Sequence, residues 1–157
     1  MVKHVERHGK KQLLNLTKNL ASTHVKIGYF ADQGIHEGSG MSYVELMNLQ
    51  EVKGVRSKNG LIRRRAFAIG SGLHAATARK RLMQGLVKAF RGGSSSPVLV
   101  ASQFGKDMQK AVKDAFGNAA ILPHNAEATV ASKGKDAPLV DTGDLMNKLT
   151  YRVITKS

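Results

Sequence analysis

Thr23-His24-Val25-Lys26-Ile27-Gly28-Tyr29-Phe30 sets Val25, Ile27 and Tyr29 against His24, Lys26 and Gly28 in strict alternation. Successive side chains of a strand point to opposite faces, so this stretch reads as a half-buried β-strand. Just upstream, Leu13, Leu16 and Leu20 recur at i, i+3 and i+7, with Lys10, Lys11 and Lys18 elsewhere, the spacing of an amphipathic helix over Gly9 to Ala21. At the other end of the chain the two-residue period returns: Lys148 to Ile154 places Leu149, Tyr151 and Val153 on one face, as a closing strand. A helix running directly into a strand, and a distant second strand, make the chain a mixed helix-and-strand protein.

The interior supplies the remaining layers. Leu73 to Arg91 is helical, with Ala76, Met83, Leu86, Val87 and Phe90 as an apolar stripe and Thr77, Arg81, Gln84, Lys88 and Arg91 opposite. Gly92-Gly93 ends it, and Ser94 to Ser96 links it to a second helix. There Ser96 is the cap, Pro97 the first helical residue, and Ala101, Phe104, Met108, Ala111, Val112 and Ala115 one buried face up to about Phe116. Shorter helices are expected from Ser42, with Glu45 completing a capping box, and from Asn125 to Ser132, closed by Gly134. Leu61 to Ile69 reads as a short extended segment. Residues 31–42 and 52–61 read as flexible loops, long for so small a chain. The expected fold is α+β, a small antiparallel sheet packed against one or two amphipathic helices, with long loops and an N-terminal helix. Residues 1–22 form a basic helix or arm, and 23–157 a single domain.

Composition narrows the chemistry. With no cysteine among 157 residues, disulfides, thiolate metal sites and thiol nucleophiles are excluded. No apolar run approaches 18 residues, so no membrane partner is expected. Met1 to Lys11 is basic but no apolar stretch follows, which argues against a secretory leader and for synthesis in a reducing cytoplasm. Neither a phosphate loop nor a dinucleotide fingerprint occurs, and no cofactor is expected. Asp32, His36 and Glu37 sit in a stretch that Gly34 keeps from being a helix, and the other histidines lack ligand spacing. No nucleophile–base pair is evident, so the chain is not expected to be an enzyme.

The charge of +14 is unevenly spread. Residues 31–51 carry four acids (Asp32, Glu37, Glu45, Glu51) and no Lys or Arg, whereas residues 52–106 carry twelve Lys or Arg and no acid. Such a block self-repels and favours contact with polyanion or an acidic surface. Its clusters are Arg63-Arg64-Arg65 and Arg79-Lys80-Arg81, with Lys88 and Arg91 further along. They fit either phosphates, bound without sequence choice, or the acids of a neighbouring copy. No aromatic residues interleave with them, so base stacking is poorly supported.

Asp141-Thr142-Gly143 after Pro138-Leu139-Val140 has the look of an aspartic-protease signature, in which two carboxylates share a proton. That motif needs a flap, a second loop and closing strands after it, and only 14 residues follow Gly143. A structural turn, with Asp141 or Thr142 binding backbone N–H groups, is the better reading.

Leu122-Pro123-His124-Asn125-Ala126-Glu127-Ala128-Thr129-Val130-Ala131-Ser132-Lys133-Gly134 is similar to the L-x-P-x-T-hydrophobic-x-x-K-G stretch of the tail-completion and neck proteins of tailed bacteriophages, and the order of segments in the C-terminal third resembles theirs. Pro138-Leu139-Val140-Asp141-Thr142-Gly143-Asp144-Leu145 and then Leu149-Thr150-Tyr151-Arg152-Val153 follow in the family's order. Upstream, Val25 to Phe30 resembles its early strand and Tyr43 to Gly54 its short helix. Ile62-Arg63-Arg64-Arg65-Ala66-Phe67 resembles its Ile-Pro-x-Arg-Pro-Phe, with Arg63 and Ala66 in place of both prolines. The likeness spans about residues 23–155. It implies a non-enzymatic virion protein, assembled in the host bacterial cytoplasm as a ring of six or twelve copies at the head–tail junction. The implied partners are further copies of itself, the portal or adaptor, the tail tube or other neck proteins, and packaged DNA in the channel. From another class, a basic non-enzymatic nucleic-acid-binding protein fits the same charge.

Overall fold

The computed structural model describes residues 11, 14–58, 60–91 and 96–155. The chain is α+β, with small antiparallel sheets packed against helices and a helix at the N-terminal end. That helix, α1, covers 14–21, and the expected contributions of Gly9 and Leu13 lie outside the described residues. Strand β1 (Thr23–Gly28) follows, a 3-10 turn at Ala31–Gln33, then β2 (Ile35–His36), β3 (Met41–Ser42) and α2 (Tyr43–Asn48). A π-helical turn at Leu49–Lys53 leads to β4 (Val55–Ser57) and β5 (Gly60–Ile62). Two long helices come next, α3 (Ala66–Phe90) and α4 (Pro97–Lys113), then short α5 (Glu127–Lys133) and α6 (Asp144–Lys148), and finally β6 (Thr150–Thr155).

The strands do not join into one sheet. They form three two-stranded pieces, β1 with β6, β2 with β3, and β4 with β5. β2 and β3 pair antiparallel through Ile35 and Ser42, β4 and β5 through Val55 and Ile62. Both stretches expected as loops thus contain a hairpin. Period-2 reasoning missed them because strands of two or three residues are too short to show alternation.

The chain resolves into two compact units. One gathers the chain up to Lys26, Ala76–Asp107 and the chain from Tyr151; the other holds Ile27–Ala75 and Met108–Thr150. The second contains the main core, in which Tyr43, Met47, Ala66, Val112, Ala115, Phe116, Leu122, Leu145 and Leu149 are buried together. Tyr29 stacks on Tyr43 and meets Phe67 edge-on. Its hydroxyl donates to the Leu145 carbonyl at 2.5 Å, and burial together with the neighbouring Tyr43 ring pushes its pKa well up. Helices α3 and α4 approach closely in this unit at Gly70, where a Cβ would lie 2.7 Å from the Ala111 carbonyl oxygen. In the first unit, Gly85 plays the same part against Val100, and Gly105 lies against the Tyr151 ring.

Several helix ends form as local chemistry dictates. The Ser42 hydroxyl accepts the Glu45 N–H at 3.2 Å while Glu45 accepts the Ser42 N–H at 3.1 Å, the reciprocal box expected for α2. Ser96 Oγ accepts the Leu99 N–H at 3.2 Å ahead of Pro97, and Gly134 closes α5 in the left-handed conformation. The expected Gly92-Gly93 stop and Ser94-Ser95 link lie outside the described residues.

Other boundaries moved. Asn125 does not cap α5: Ala126 holds the cap position, and the Asn125 side chain is engaged by Arg64. Helix α4 ends at Lys113, three residues early, in turns that Gly117 finishes by donating its N–H to the Pro138 carbonyl at 2.8 Å. Most substantially, α3 begins at Ala66, where an extended segment was expected up to Ile69. The cause is not local. The Glu51 carboxylate accepts the N–H groups of Phe67 and Ala68 at 3.1 and 2.9 Å, satisfying two first-turn donors from sixteen and seventeen residues upstream.

Candidate interaction surface

The basic residues singled out above divide between the two units. Arg63 and Arg65 are exposed, but Arg64 between them turns inward. Its backbone N–H donates to the Gln50 carbonyl at 2.9 Å. Its guanidinium reaches the carbonyls of Pro123 and His124 and the Asn125 side-chain oxygen at 3.4, 3.3 and 3.2 Å. Burial lowers its pKa, but an arginine stays charged under all physiological conditions. Arg64 is therefore a half-exposed clasp whose donors are spent on the loop after Leu122, which the run of three arginines could not reveal.

The same loop is held from its other side by Asp136. This carboxylate accepts the Asn125 N–H at 3.0 Å and bonds His124 Nδ1, and those two contacts hold its pKa below the usual carboxylate value. Asn125 Nδ2 is buried with no partner in hydrogen-bond geometry, leaving the neighbouring Asp136 as its electrostatic complement.

Asp141, Thr142 and Gly143 form a turn into α6. Thr142 Oγ1 accepts the Asp144 N–H at 3.3 Å, Gly143 is left-handed with φ 89°, and its carbonyl accepts the Asn147 N–H at 2.9 Å. Asp141 is exposed and ion-paired to Lys133 Nζ at 3.1 Å, while Lys133 also donates to the Val140 carbonyl at 3.0 Å. A cavity of about 190 Å³ lies beside this turn, lined by His36, Arg64, Lys133, Asp141 and Leu139 among others. Arg64 and Lys133 already spend their donors on carbonyls and on Asp141, so the cavity offers a ligand little that is unspent. Leu139 in its wall has φ 64°, the one non-glycine residue with positive φ among the described residues. It follows Pro138 in a turn closed by Val140 N–H on the Ala137 carbonyl, and packing of its side chain on the core offsets the backbone strain.

Arg79, Lys80, Arg81 and Lys88 belong to α3 and Arg91 to the turn just after it, and all five are exposed. Arg81 ion-pairs with Asp107 on α4 at 3.4 Å, and Asp107 also accepts from Gln103 at 3.0 Å. Beside that pair, α3 and α4 leave an apolar groove of about 200 Å³ between Leu82, Gly85, Leu99, Val100 and Phe104.

The helix that carries these charges hides the wrong side. Of the expected apolar stripe, only Leu86 is buried; Met83, Val87 and Phe90 are 58, 43 and 37% exposed and Ala76 is exposed too. The buried side is Ala78, Leu86 and Ala89, with Leu82 half-buried. At 100° per residue, Ala76, Met83, Val87 and Phe90 fall within about 60° of one another, roughly a third of a turn from the buried side. They form a solvent-facing apolar ridge flanked by Arg79 on one side and Lys80 on the other. In the other unit Ile35, Met41 and Val44 are 65, 39 and 42% exposed, on the β2–β3 hairpin and the first turn of α2. Among the described residues no cluster of His, Asp or Glu could hold a metal ion, and no helix is long and apolar enough to cross a membrane.

No protein-family model, curated protein or solved structure matches the chain.

Proposed function

We propose that this protein is a structural virion component of a tailed phage, a subunit of a ring at the head–tail junction that joins portal or adaptor to tail. The observation that carries the reading is the α3 ridge. A monomer gains by burying Met, Val and Phe in preference to Ala, and a contiguous exposed apolar patch rimmed by polar residues marks a surface that another protein covers. Full burial of such a side chain is worth about 1.5–3 kcal/mol, and these three are 37 to 58% exposed, so an assembly that covers them recovers roughly half of that at each.

The segments that carry the family resemblance support the same reading. Arg64 of the 62–67 segment clasps the 123–125 loop, Lys133 pairs with Asp141, and Tyr29 of the early strand bonds Leu145. Residues spent on tying one another together build a frame, which suits a structural part. The basic side chains of α3 suit either the DNA passing through the channel or an acidic protein neighbour.

Native mass spectrometry of the purified protein, at moderate and high salt and with and without duplex DNA, tests this. A discrete oligomer of about six or twelve copies without DNA is the expected result. A monomer that binds duplex with steep salt dependence would replace the reading with the nucleic-acid-binding one.

A further inference from the structure

We infer that the α3 ridge of one copy seats on the acidic hairpin–α2 surface of the next copy, so that a single repeating contact builds the assembly. This rests on the assembly reading above and specifies its interface. The ridge (Ala76, Met83, Val87, Phe90) runs over fourteen residues of helix, about 21 Å at 1.5 Å per residue. It lies in the block from 52 to 106, which has twelve Lys or Arg and no acid. The counter-surface carries exposed Ile35 on the hairpin and Val44 on the first turn of α2, within the block from 31 to 51, which has four acids and no Lys or Arg. Glu37 and Asp32 are exposed, and Glu45, though it caps α2, is held in its charged form by the Ser42 hydrogen bonds. The apolar ridge with its flanking bases thus meets exposed Ile35 and Val44 beside Asp32, Glu37 and Glu45, and the opposite charges select this partner over a like surface.

The alternatives are less favoured by the same residues. Packing α3 against α3 about a two-fold axis would set Arg79 and Lys80 against the same bases of the other copy. A phosphate backbone would use the bases but leave Met83, Val87 and Phe90 in water. An anionic bilayer could take the ridge, but would leave the acidic surface with its exposed Ile35 and Val44 uncovered. Because the two faces differ, the contact is heterologous: every copy offers one of each, and copies add head to tail until a ring closes.

The absence of native cysteine makes the test clean. Val87→Cys and Val44→Cys are prepared separately, mixed and oxidised, alongside each variant alone and the double variant. The expected result is a covalent dimer in the mixture well above that in either single sample, and a ladder of three or more copies from the double variant. Met83→Glu, at an exposed position, is expected to weaken self-association about ten-fold or more with its helical content and melting unchanged. If a discrete oligomer forms but the cross-link does not and Met83→Glu leaves it intact, the ring stands and this interface is wrong. If no oligomer forms at any concentration and the protein binds duplex, the assembly reading falls with it. If Met83→Glu instead abolishes binding to vesicles of anionic lipid and leaves self-association untouched, the ridge is a lipid surface and the inference is overturned.

Discussion

Replacing Glu51 tests whether a long helix is started from a distance. Its carboxylate accepts two hydrogen bonds from the first turn of α3, at 3.1 and 2.9 Å. Losing a capping acceptor costs about 0.5–2 kcal/mol, typically about 1. Removing a negative charge from the helix N-terminus adds about 0.5 kcal/mol. Glu51→Ala should therefore lower stability by about 1.5–2 kcal/mol. Glu51→Gln, which keeps one acceptor oxygen without the charge, should cost about 1 kcal/mol on the same two grounds. Chemical denaturation read by circular dichroism gives both numbers, provided the slope with denaturant stays at the wild-type value. Amide hydrogen exchange adds a local readout, since Phe67 and Ala68 should lose protection first. If Glu51→Ala unfolds within about 0.5 kcal/mol of wild type, or Gln is as damaging as Ala, the distant cap does not hold the helix start. The local bonds there, Ala66 N–H to Arg64 and Ile69 N–H to Arg65, would then suffice.

Three further outcomes follow from the packing. Arg64→Ala should destabilise by about 1–2 kcal/mol, discounted for its half-exposed guanidinium, and Lys should not rescue it, whereas Arg63→Ala and Arg65→Ala should change thermal unfolding little. Gly105→Ala drives a methyl into the Tyr151 ring and should cost about 1–3 kcal/mol in denaturant unfolding, less when paired with Tyr151→Ala. Because the folded-state pKa of Asp136 lies below its usual value, its contribution is complete above the ordinary carboxylate range and is lost as pH falls through the folded value. The wild type should lose stability on acidification below about pH 4, and Asp136→Asn should flatten that limb while leaving the alkaline side unchanged. An identical acid limb in the variant would assign the loss to other carboxylates.

What the sequence made legible was what depends on neighbours in the chain. The alternation in 23–28, the Ser42–Glu45 box, the Ser96-Pro97 start and the Gly134 stop are all set within four residues, and each formed. What it hid depends on residues far away: Glu51 reaching α3, Arg64 reaching the 123–125 carbonyls, and hairpins too short to alternate. The Arg63-Arg64-Arg65 run shows the limit plainly, since three identical side chains have one member inside and two outside.

The stripe on α3 carries the argument furthest. Periodicity weighs side chains by hydrophobicity and so selects Met83, Val87 and Phe90. Close helix contact also selects by size: Gly85 against Val100 leaves no room for a Cβ, and the buried side of α3 sets small Ala78 and Ala89 beside Leu86. Both stripes are genuine and they serve different contacts. The small residues let α3 lie close to α4 within the unit, and the large ones are the surface that the contact between copies proposed above would cover. On that reading the exposed Met83, Val87 and Phe90, flanked by Arg79 and Lys80, are kept for association while Met47, Met108 and Phe116 go to the interior of the chain itself.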